Sequence, residues 1–147
     1  MEKIIPEPVA KQVREAFAGL TGPVEVLFFG KESGCPVCAD TRQLLDEVTG
    51  LSDLLSLREY DLEQDAEIAG QYGITETPAF LLVSRAGETI KDYGVRFLGI
   101  PAGHEFSSLI HGLLLVSKGD SGLAKPTREF LSGLSQPVLL QVFTTPT

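Results

Sequence analysis

Cysteine is scarce: the 147 residues hold two, at positions 35 and 38. A pair this close cannot build a disulfide framework, because a bridge across it closes almost no loop and restrains the unfolded chain little. Basic residues are few as well, 12 against 20 acidic, for a net charge of −8. That balance argues against a binder of nucleic-acid phosphates or of anionic membrane surfaces. Long apolar runs are missing too. The longest, residues 23–30 and 113–116, fall far short of the roughly 20 residues that cross a bilayer. Met1 to Pro8 carry no continuous apolar stretch of the secretory kind, so a cytoplasmic location is expected. The glycines at 94, 99 and 103 match no phosphate-cradling pattern, and no cofactor is expected.

What is present is a chain of one-domain size with alternating helix and strand signals. Val9, Val13, Ala16, Phe17 and Leu20 recur at helical spacing. Val24 to Phe29 is then almost unbroken apolar, interrupted by Glu25, as a central strand covered on both faces requires. A helix opening at Cys35 carries Leu44, Leu45 and Val48 inward and stops at Gly50. A strand over 54–60 follows, then a helix over 63–72 with Asp61 as its cap. Strands over 79–83 and 89–93 form a hairpin, and Phe106, Leu109, Ile110, Leu113 and Leu114 line a helix over 103–116. Early crossovers imply parallel pairing and the late hairpin an antiparallel edge, so residues 1–117 make a three-layer α/β domain.

Residues 117–124 are a small, polar joint. Beyond it a helix over 126–134, with Pro126 in its first turn, and a strand over 137–143 repeat the order of the chain's own beginning. A lone strand exposes unpaired backbone, so this one must join the main sheet, pair between chains or remain poorly ordered.

Chemistry concentrates in Gly30-Lys31-Glu32-Ser33-Gly34-Cys35-Pro36-Val37-Cys38. A buried strand delivers the chain to a turn, and the turn presents Cys35 at the mouth of a helix, where unpaired amides favour a thiolate. Lys31 adds a positive charge there, while Glu32 and Asp40 oppose it if close. Cys38, one turn on, is placed to attack a mixed disulfide formed at Cys35. Cys35 is therefore expected to be the exposed nucleophile and Cys38 the buried resolving thiol. A zinc site would need two more ligands and finds only the remote His104 and His111. Two ordinary core cysteines are the other alternative. The acidic run Glu59, Asp61, Glu63, Asp65 and Glu67 reads as a solvated strand end and helix entrance, and His104 as a residue of another helix entrance.

Gly34-Cys35-Pro36-Val37-Cys38, followed later by Ile74-Thr75-Glu76-Thr77-Pro78-Ala79, resembles the thioredoxin and glutaredoxin superfamily. The resemblance implies a mixed four-stranded sheet flanked by helices, here with an extra C-terminal helix and strand. It also implies that Pro78 is a cis-proline facing the cysteine pair. Thr77, Pro78, Pro36 and Val37 would then contact an extended substrate beside the catalytic Cys35 and Cys38. Tyr93 to Phe106 resembles more narrowly the first unit of the protein disulfide oxidoreductases of thermophilic archaea and bacteria, which fuse two thioredoxin units. Residues 94–110 also resemble the N-terminal domain of the flavoprotein subunit of alkyl hydroperoxide reductase. On this resemblance, 118–147 are a linker, helix and strand that open a truncated second unit. One departure matters: thioredoxins proper carry a buried acid six residues before the first cysteine, where this chain has Phe29.

The function expected is thiol–disulfide exchange with protein dithiols or disulfides, recharged by a separate reductase or oxidant, with homodimer formation through 137–143 left open. The alternative is a non-enzymatic binding or assembly module of the same fold with inert cysteines.

Overall fold

A strand without polar alternation needs cover on both faces, and the computed structural model, which describes residues 2–145, gives that place to β1 (Val24–Gly30), buried along its whole length. Its neighbours are β2 (Leu55–Asp61), parallel to it, and β3 (Ala79–Ala86), antiparallel; β4 (Thr89–Leu98) completes the order β2-β1-β3-β4. β3 and β4 are joined by a two-residue turn in which Gly87 takes φ +62°, a conformation that favours glycine.

The helices are α1 (Glu7–Phe17), α2 (Cys38–Thr49), α3 (Ala66–Gln71), α4 (His104–Lys118) and α5 (Lys125–Ser132). Val24, Val26 and Phe28 of β1 point into one core with Phe80 and Leu82, closed by Val13 and Phe17 of α1, Leu44, Leu45 and Val48 of α2, and Leu109, Leu113 and Val116 of α4. Leu27 and Phe29 point the other way, with Leu81, Val83 and Ala69 of α3. The layers are thus helices, sheet and a single short helix. The Ser117 hydroxyl near the end of α4 locks the turn ahead of β1: it accepts the N–H groups of Thr21 and Gly22 at 2.9 Å and donates to the Gly22 carbonyl at 2.7 Å.

The inner stripes of α2 and α4, the parallel crossover and the antiparallel hairpin stand where the sequence places them. In α1 Val13 and Phe17 are buried as expected, but Ala16 is exposed, Ala10 is the residue turned inward, and the helix ends at Phe17, ahead of the buried Leu20. Three further expectations are corrected. The helix of the cysteine segment begins at Cys38, so Cys35 sits in the turn ahead of it; Val37, with φ −106° and ψ 4°, is its N-cap. The third helix is confined to Ala66–Gln71, because the Asp61 carboxylate caps a separate turn at Glu63 and Gln64. Residues 137–143 form no strand among the described residues. Their side chains stand in water, Phe143 at 89% exposure and Leu140 at 84%, because a β-forming run gains nothing without a neighbouring edge to pair with. Among the described residues, no helix is long and apolar enough to cross a membrane.

Candidate active site

The sheet register decides what meets the cysteines. Gly30 ends β1 opposite Asp61 of β2. On the other side Phe29 faces Ala79, which sets Pro78 beside Gly30 at the same end of the sheet. The Thr77–Pro78 bond is cis, as the resemblance implies, and the Pro78 carbonyl accepts the Gly99 N–H at 2.9 Å. Pro78 is buried and Thr77 half-buried.

Cys35 and Cys38 are joined in a disulfide with their Cα atoms 5.4 Å apart. The turn between them is closed by the Cys38 N–H donating to the Cys35 carbonyl at 3.3 Å. Cys38 is 7% exposed and belongs to the core beneath α2, whereas Cys35 is half-buried at its margin. Pro36 and Val37 are exposed between them. Glycine at position 30 permits this packing: a Cβ there would lie 2.9 Å from the Phe28 ring and 3.5 Å from the Cys38 sulfur.

A cavity of about 400 Å³ opens beside the two cysteines, between the ends of β1 and β2 and the start of α2. Its charged walls are Lys31, Glu32, Arg42, Glu59 and Asp61, with Tyr60 among them. The Arg42 Nε donates to Glu59 at 2.8 Å, a hydrogen bond that raises the guanidinium pKa further. Asp61 accepts the N–H groups of Gln64 at 3.0 Å and Glu63 at 2.9 Å, and these hold its carboxyl below the usual range. A carboxylate with a depressed folded pKa adds stability above its unfolded value, and that stability is lost as pH falls through the folded one. Asp61→Asn is therefore expected to lower the urea midpoint at pH 7 and to cost much less in acid, once the folded-state carboxyl is protonated. An equal cost at both pH values would show that the charge is immaterial.

The register thus puts Thr77 and Pro78 at the same end of the sheet as Cys35 and Cys38, while the cavity is lined by the two cysteines and not by Pro36, Val37, Thr77 or Pro78. Neither histidine lines the cavity, and among the described residues no cluster of His, Cys, Asp or Glu could hold a metal ion. The cavity's charged wall is what the sequence alone does not reveal. Arg42 follows Cys38 by one helical turn, a usable signal. Glu59 and Asp61, by contrast, read as solvent-facing, and only the β1–β2 register brings them to the cavity. The position of the acid found in thioredoxins proper is filled by Phe29, stacked on Tyr60 with ring centroids 5.1 Å apart.

Comparison with known proteins agrees with this geometry. A protein disulfide oxidoreductase from Aeropyrum pernix K1 superposes with a TM-score of 0.75 at 31% identity, over 88% of this chain and 55% of that one. The alkylhydroperoxide reductase AhpF from Enterococcus faecalis V583 superposes with a TM-score of 0.78 at 27% identity, over 88% and 61%. In sequence, the corresponding alkyl hydroperoxide reductase protein of Staphylococcus aureus strain NCTC 8325 is 41% identical over 78 residues, 53% of this chain and 12% of that protein. The chain therefore spans about an eighth of that curated relative and between half and two thirds of the two solved ones. No family model matches the sequence.

Proposed function

We propose, for a chain that belongs to the thioredoxin superfamily as a protein disulfide oxidoreductase domain, that it exchanges disulfides with protein substrates through Cys35 and Cys38. The observation that carries the proposal is the asymmetry of the pair: a bridge with one cysteine half-buried at the core's margin and the other within the core, at the end of the sheet that also carries Thr77 and Pro78.

In the dithiol form, the Cys35 thiolate attacks a substrate disulfide, forming one S–S bond and expelling a substrate thiolate that takes up a proton. Cys38 then loses its proton and attacks the Cys35 sulfur, breaking the mixed bond and releasing the second substrate thiol. Two electrons pass to the substrate, and the protein is left in the bridged state seen here. Run backwards, the same steps donate the bridge to a substrate dithiol. Thr77, Pro78, Pro36 and Val37 are the surface along which we place the substrate chain. An extended peptide beside Thr77 would meet backbone at the end of the sheet that also carries Cys35.

The partners we infer are proteins carrying dithiols or disulfides and a separate reductase or oxidant, and we place the exchange in the cytoplasm. We also read residues 118–147 as a segment distinct from the 1–117 domain, the opening of a second unit of the same kind. The support is a helix, α5, with no buried residue, followed by the exposed apolar run at 137–143. Association of two copies through that run is the corresponding proposal for assembly.

The test is dithiothreitol-driven reduction of a disulfide-bonded protein, read as thiol released. The expected result is a rate above the uncatalysed one that scales with the amount of this chain. A rate indistinguishable from dithiothreitol alone, with the fold intact, would favour the inert binding module instead.

A further inference from the structure

The Cys35 sulfur needs an electrostatic partner, because a thiol with an ordinary pKa near 8.5 is mostly protonated at neutral pH. Two usual sources are weakened here. The helix N-terminus begins at Cys38 and not at Cys35, and the position of the buried acid of thioredoxins proper holds Phe29 in an aromatic stack. The groups that share the cavity with the cysteines are Lys31 and Glu32 from the loop after β1, Arg42 from α2, and Glu59, Tyr60 and Asp61 from β2. Arg42 is bound to Glu59, so its charge is largely offset where it stands. Lys31 is different. It is half-buried, and among the described residues it closes no salt bridge. Its ammonium nitrogen reaches back over the loop, 3.7 Å from where a Cβ on Gly34 would sit, and Gly34 adjoins Cys35. Asp61, the carboxylate that feels Lys31, is already engaged by backbone N–H groups, those of Glu63 and Gln64 foremost. Gly34 takes φ +73°, which turns the loop back over the Lys31 side chain.

We propose that Lys31 is the positioning cation of this site, the ammonium that holds the Cys35 sulfur as a thiolate in the reduced protein and favours the dithiol over the bridge. The proposal rests on the exchange chemistry above and adds the residue that tunes it. It follows from Coulomb attraction between unlike charges in a partly buried cavity, where screening is weaker than in bulk water.

The experiment follows the alkylation rate of Cys35 with iodoacetamide against pH in the fully reduced protein, for the parent, Lys31→Gln, Lys31→Arg and, as a control for lost charge elsewhere, Lys11→Gln on the outer face of α1. In Lys31→Gln the midpoint is expected to rise by about one unit, a tenfold loss of thiolate on the low-pH limb. Lys31→Arg is expected to restore most of the shift, and Lys11→Gln to leave the parent curve unchanged. The dithiol–disulfide midpoint of Lys31→Gln is expected to become more reducing by up to about 30 mV, the equivalent of that tenfold change for a two-electron couple. A Lys31→Gln curve superimposable on the parent's would overturn the role of Lys31 while leaving the exchange reading intact. A parent protein whose cysteines never interconvert would remove both.

Discussion

Replacement of Cys35 by serine is expected to abolish exchange, slowing reduction of a protein disulfide by about a thousandfold or more, because a serine hydroxyl is no nucleophile toward sulfur at neutral pH. Cys38→Ser is expected to fail differently. Cys35 can still attack, but nothing resolves the product, so one equivalent of substrate should be retained as a mixed disulfide visible in the intact mass. The distinction follows from burial: Cys38 opens α2 with most of its surface in the core, while Cys35 stands half-buried at the margin. Mixed disulfides forming on Cys38 in the Cys35→Ser variant, with none on Cys35 in the other, would reverse the two roles.

The largest expected effect on stability lies at the opposite end of β1. Glu25 is the polar residue in an otherwise apolar strand, 4% exposed, and it is held by two arginines from the flanking strands. Arg85 of β3 gives it a two-pronged contact, with the Nε donating at 2.8 Å, and Arg58 of β2 adds a bond at 3.2 Å. The Arg85 side chain is 24% exposed and that of Arg58 51%. Arg85→Ala leaves a buried carboxylate with only the half-exposed Arg58 as its charged partner and is expected to cost about 3 kcal/mol in urea denaturation. Arg58→Ala removes a water-screened partner and is expected to cost about 1 kcal/mol or less. Equal losses would mean that the carboxylate is solvated in spite of its burial.

The elements legible in the sequence are those whose burial pattern is local. Val24 to Phe29 announces a central strand because no face can be left wet, and Leu44, Leu45 and Val48 announce their helix through spacing alone. The cysteine pair is legible as chemistry, since a dithiol after a buried strand has few other uses, whereas the cis bond at Thr77-Pro78 is anticipated by the resemblance alone. What cannot be read depends on neighbours remote in sequence. The run at 137–143 has the composition of a strand, but composition does not supply an edge to pair with. Glu25 reads as an interruption until β2 and β3 bring Arg58 and Arg85 to it. Likewise Glu59 and Asp61 belong to the cavity because the parallel register sets them opposite Phe28 and Gly30. The one-turn error at Cys35 has a local cause: Pro36 suits the first turn of a helix, but the Cys35–Cys38 turn precedes the helix instead of joining it.

The most direct measurement is a redox titration in dithiothreitol buffers, with differential alkylation read on the mass of the intact chain. The prediction is a single two-electron transition between a dithiol and an intramolecular Cys35–Cys38 bridge, with Cys35 alkylated first in the reduced form. Cysteines that stay in one state across the whole accessible range, in a protein that is still folded, would contradict exchange as the function of this site.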